Sequence, residues 1–87
     1  MSEVQQPQLT PIEALYAISD TSLLQPFMVQ AAINALDPNA LTAVVDAEEV
    51  LGFAAFGSSL YPEDGDWFEV FERANRIYQH RLTRQQG

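Results

Sequence analysis

Glu63, Asp64, Asp66 and Glu69 set four carboxylates within seven residues. Hard cations such as calcium favour that donor set, but the glycine and the last glutamate are out of place for an EF-hand loop. Turn formation and helix capping use the same residues without an ion, so no metal is expected. His80 is the only histidine and no cysteine is present, so neither a thiolate nor a second nitrogen ligand stands beside it. Near a helix C-terminus it reads as a solvated side chain. Gly52-Phe53-Ala54-Ala55-Phe56-Gly57-Ser58-Ser59 has the glycine spacing of a phosphate loop. That loop needs a lysine where Ser58 stands and a strand before it. Asp46, Glu48 and Glu49 are the acids nearest apolar sequence. Hydrolytic carboxylates need one acid in an apolar pocket with a raised pKa, whereas most acids of this chain fall at expected caps or exposed faces. No enzyme activity and no cofactor are expected.

Charge says more about partners than about reactions. Arg73, Arg76, Arg81 and Arg84 are the only bases and lie in the last fifteen residues, whereas all twelve carboxylates precede them. Residues 1–72 therefore sum to -12 and the remainder to +4, giving the net -8. Such a molecule repels nucleic acid and anionic membrane and attracts basic surfaces. Arg73, Arg76, His80 and Arg84 form a helical stripe, but Glu69 and Glu72 stand one turn before the first two, as i,i+4 pairs. Arg81 falls among Ile77, Tyr78 and Leu82 on the apolar face. It either snorkels off the end of the core or serves an interface.

Eighty-seven residues make one domain with a small core. The chain is 47% apolar and only 18% charged, more apolar surface than one small core hides. The lack of cysteine points to a reducing compartment, the cytoplasm. No basic start precedes an apolar run, which argues against a secretory leader. The longest charge-free stretch, Thr21 to Leu36, is sixteen residues, short of the roughly twenty that a membrane span needs.

The elements that hold these residues are helices. Residues 1–9 are polar, glutamine-rich and broken by Pro7, a composition expected of a disordered arm. Thr10-Pro11-Ile12-Glu13 is a capping box with proline at the first helical position, which predicts a helix over 11–19. A second helix is expected over 22–36, opened or kinked at Pro26, with Gln30 and Asn34 as its polar strip. Asp37-Pro38 predicts a third, beginning at Pro38 and carrying Leu41, Val44 and Val45 inward. Residues 42–45 also suit a short strand, but no strand of similar quality stands by to pair with it. Asp46-Ala47-Glu48-Glu49 predicts a restart or bend, followed by a helix that ends at Gly57-Ser58-Ser59. After a turn at 61–65, Trp67, Val70, Phe71, Ala74, Ile77, Tyr78 and Leu82 follow the 3, 4, 7 spacing of the strongest helix in the chain.

The fold expected is therefore all-α, a small single-domain bundle of four to five short helices over 10–83 with a flexible tail at 84–87. The expected role is adaptor or inhibitor of another protein with a basic surface. Contact is assigned to an aromatic patch with an acidic rim, Tyr61, Glu63, Asp64, Asp66, Trp67 and Phe68, together with Arg81. Two further readings stay open. The carboxylates could mimic nucleic acid in a basic groove, or the apolar excess could serve self-association as a homo-oligomer or in a larger particle.

Overall fold

The computed structural model describes residues 9–86, and the expected arm falls outside them except for Leu9. The chain is all-α. The described residues form four helices: α1 Pro11–Tyr16, α2 Pro26–Asn34, α3 Ala43–Leu60 and α4 Gly65–Gln86. A 3₁₀ turn at Thr21–Leu23 links the first two. No helix among the described residues is long and apolar enough to cross a membrane.

α1 starts as the capping box dictates. The Thr10 amide donates to Glu13 Oε1 at 3.0 Å and the Glu13 amide donates back to Thr10 Oγ1 at 3.2 Å. The helix stops at Tyr16, short of the expected Ser19. Asp20 competes for the backbone beyond it: its Oδ1 accepts from the Ser22 amide and hydroxyl at 3.0 and 2.9 Å. These bonds hold the Asp20 carboxyl below its ordinary pKa and turn the chain into the 3₁₀ segment. Pro26 opens α2 and does not kink it, since a missing N–H costs nothing at the first helical position.

Three expectations about the middle of the chain are corrected. Asp37-Pro38 begins a turn and not a helix: Asp37 Oδ1 accepts from the Asn39 amide at 2.9 Å, and no helix forms until Ala43. A single turn containing Asn39 and Thr42 has weak propensity and no buried face to hold it. Leu41 is fully exposed and Val45 mostly so, and neither points inward. Asp46 marks no bend. It sits in the first turn of an unbroken α3 and accepts from the Thr42 hydroxyl at 2.9 Å. Gly57 does not end that helix; it lies inside it, buried.

The reason is the stripe α3 buries: Ala47, Val50, Ala54 and Gly57, spaced 3, 4 and 3. It is continuous, and it is made of small residues. α4 runs back along it, with Trp67, Val70 and Ala74 buried and Phe71 and Ile77 packed beside them. The Trp67 ring lies directly on Gly57, where a β-carbon would fall 2.2 Å from Cζ3. Ser58 Oγ adds a bond to the Trp67 carbonyl at 3.1 Å.

α1, α2 and the link between them cover one face of this α3–α4 hairpin with Leu15, Leu24, Val29, Ala32 and Ile33. The shortest extent of the molecule is 16 Å, two helix layers at the usual interaxial spacing of about 8–10 Å. No polar or charged side chain is buried among the described residues. α4 remains helical through Gln86, past the point where a tail was expected.

Asp64 caps α4. Its Oδ1 accepts from the Asp66 amide at 2.8 Å and the Trp67 amide at 3.3 Å. Asp64→Ala is expected to cost about 1 kcal/mol, seen as a fall of roughly 4–8 °C in the thermal midpoint. An unchanged midpoint would remove this capping role.

Candidate functional site

The residues that the sequence groups into one patch separate in space. Trp67 is only 2% exposed, so it belongs to the core and is not a contact residue. Its helical phase places it with Val70 and Ala74, and the glycine opposite gives the indole room to lie flat on α3. Tyr61 stacks on it, ring centroids 6.5 Å apart and planes 12° from parallel, leaving the outer face of Tyr61 to solvent. Asp64 is engaged as the cap of α4. Glu63 and Asp66 are exposed, and Asp66 lies in the first turn, where the helix dipole favours an anion.

Phe68 is 58% exposed. At 100° per residue it sits about 160° around α4 from Val70, and so on the flank turned away from α2. Arg81 is apart from all of these, about 20 Å along the helix from Phe68 at 1.5 Å per residue. Its Nη1 donates to the Ala43 carbonyl at 2.9 Å, which ties the far end of α4 to the start of α3. That bond places Arg81 at the opposite end of α4 from the aromatic residues.

The structure brings together a different set. The start of α2 lies beside the first turns of α4, leaving an open groove of about 360 Å³ lined by Pro26, Phe27, Asp66, Glu69, Val70 and Arg73, with Gln25 and Gln30 at its edges. A smaller hollow, about 160 Å³, shares Gln25 and continues past Leu24, Tyr61, Asp64 and Trp67. Phe27 is 68% exposed, a large aromatic held over this groove. With the phase set by Val29, Ala32 and Ile33, position 27 falls about 200° from position 29 and must point outward. That signal is present in the sequence and was missed, because the helix was expected to begin before Pro26. Leu23, exposed on the 3₁₀ turn, was missed in the same way.

Electrostatically this end of the molecule is negative. Glu63, Asp64, Asp66 and Glu69 face a single cation, Arg73. Arg73 is itself engaged: it donates to the Gln30 amide oxygen and lies 3.6 Å from Glu69. That is the one ion pair among the described residues, so the expected Glu72–Arg76 pair is not formed. Gln30 in turn donates to Asn34 at 2.9 Å. These bonds fix the groove wall, leaving Asp66 and the outer carboxylates turned to solvent.

A second hollow, about 270 Å³, lies between α1, the end of α2 and α3, with Asp37, Asp46 and Glu49 near Ile12, Leu36 and Val50. No exposed large aromatic lines it. Glu49 accepts from the Tyr16 hydroxyl at 3.0 Å, which raises the tyrosine pKa above its ordinary value, and Tyr16 packs edge-on against Phe53. Among the described residues no three of His, Cys, Asp and Glu are arranged to hold a metal ion. Comparison of the chain with protein-family models, curated proteins and solved structures finds no match.

Proposed function

We propose that this protein is a non-enzymatic binding module, an adaptor or inhibitor working in the cytoplasm. It would dock a basic, partly apolar segment of another protein in the groove between α2 and α4. The observation that supports this reading is the exposed Phe27 on a groove lined also by the apolar Pro26 and Val70 and by the carboxylates of Asp66 and Glu69. An aromatic anchor beside an apolar floor supplies most of the affinity of a small interface. A carboxylate rim raises the encounter rate with a cationic partner and sets its orientation. Among the described residues, Arg73 is the one cation paired with a carboxylate.

A short amphipathic lysine–leucine peptide tests this by fluorescence anisotropy. Binding is expected to weaken at least ~10-fold in Phe27→Lys, the scale of losing one interface anchor. Val45→Lys, the same charge change at an exposed position on α3, is expected to leave it nearly unchanged. Equal losses in the two variants would mean undirected charge attraction and would remove the groove. Oligolysine bound as tightly as the mixed peptide would favour nucleic-acid mimicry instead, because a phosphate mimic needs no apolar anchor.

A further inference from the structure

We propose that the same groove also receives the far end of α4 from a second copy of this chain, so that copies join head to tail. This rests on the groove being a docking site and adds a second ligand for it. The head presents the exposed Phe27 on a groove that Val70, Asp66 and Glu69 also line. The opposite end of the molecule presents the converse. Leu41 is fully exposed on the turn before α3, and it lines an open hollow together with Val44, Arg81 and Arg84. Arg81 is held on the Ala43 carbonyl, while Arg84 is exposed.

One end therefore offers an apolar side chain beside a guanidinium, and the other an apolar floor beside carboxylates. Leu41 would rest against Phe27 and Val70. Arg84 would reach Asp66 and Glu69, a pairing for which the planar guanidinium is suited. Within one copy these groups cannot meet. Asp66 and Arg84 ride on the same helix, about 27 Å apart at 1.5 Å per residue, and only another molecule can bring them together. The chain has no lysine, and its four arginines all lie in α4. The tail of a neighbour is thus the nearest match in charge that the protein itself can supply.

The contact uses two different surfaces. Each addition leaves one head and one tail free, and growth continues unless a ring closes. Sedimentation velocity of the full chain tests this. Wild type is expected to show a mass that rises with concentration above the 9.7 kDa of one chain. The mass should fall back as salt goes from about 0.01 to about 1 M, because the ion pairs at the rim are screened.

Two variants at exposed positions make the test specific: Phe27→Lys blocks the head, and Leu41→Asp with Arg84→Glu blocks the tail. Each is expected to sediment as a monomer. An equimolar mixture, in which one keeps its tail and the other its head, is expected to form a dimer of twice the chain mass and nothing longer. Thermal melts establish that both variants fold, and the salt series on wild type stands without them. A monomeric wild type at all concentrations, self-association of either variant alone, or a mixture that stays monomeric would each overturn the proposal. Lysine–leucine peptide binding to the tail variant separates the two ideas. Peptide binding without joining of copies removes only the head-to-tail contact, and joining without peptide binding removes only the basic partner.

Discussion

Gly57→Ala is expected to destabilise the domain by about 2–3 kcal/mol, in the upper range of overpacking costs. Gly52→Ala, earlier on the same helix, is expected to stabilise it by about 0.5–1 kcal/mol. The two glycines share a helix and differ in what lies above them. A β-carbon at Gly57 would fall 2.2 to 2.4 Å from three atoms of the Trp67 ring, whereas one at Gly52 meets nothing within 4 Å. The indole has no room to withdraw. It is buried, stacked under Tyr61, and its backbone is held by Ser58 and by the Asp64 cap. α3 and α4 would have to separate. The helix propensity gained by alanine is the same at both sites, so the difference between the variants isolates the clash. Chemical denaturation of both checks it, and two variants moving in the same direction would contradict the packing of Trp67 on Gly57.

Removing residues 74–87 is expected to abolish cooperative unfolding altogether. The deletion takes Ala74 and Ile77 from the core and the Arg81 bond from the start of α3. The stripe of Ala47 and Val50 then loses the helix that covers it. What remains of α4 spans Gly65 to Arg73, shorter than the ~12–15 residues below which an isolated helix is marginal in water. A stability of only about 5 kcal/mol, the low end for a domain this small, does not survive such a loss. Circular dichroism against temperature is the measurement. A sigmoidal melt like that of the full chain would place the core elsewhere.

Polar grammar was legible where a local bond alone decides, and it misled at Asp37-Pro38 and at Asp46, where a helix start also needs a face to bury. The Thr10–Glu13 box, Pro26 as an opener and the acidic start of α4 are local bonds, and local bonds can be read from spacing. The periodicity of α4 was legible because its buried residues are large. α3 was misread for the opposite reason. Its buried stripe is Ala47, Val50, Ala54 and Gly57; the larger Leu41 and Val45 were expected inward although water covers them, and Gly57 was expected to end the helix. Only the Trp67 ring explains why small residues face inward there, and that contact joins two helices.

The candidate site shows the same limit. Its acids were identified one by one, but Trp67 proved to be core and Phe68 to lie on the far flank. The aromatic that joins Asp66 and Glu69 is Phe27, from a helix far away in sequence. No spacing rule pairs the start of α2 with the start of α4; the packing of both helices into one core does.

Amide chemical-shift mapping with the lysine–leucine peptide tests the central claim most directly, because it locates the contact as well as detecting it. At a salt concentration that suppresses joining of copies, the largest changes are expected at Gln25, Phe27, Gln30, Asp66, Glu69, Val70 and Arg73. Glu48, Gly52, Ala55 and Phe56, exposed on the outer face of α3, should stay still. Changes centred on Phe68 and Phe56, or spread evenly over every acidic residue, would contradict it.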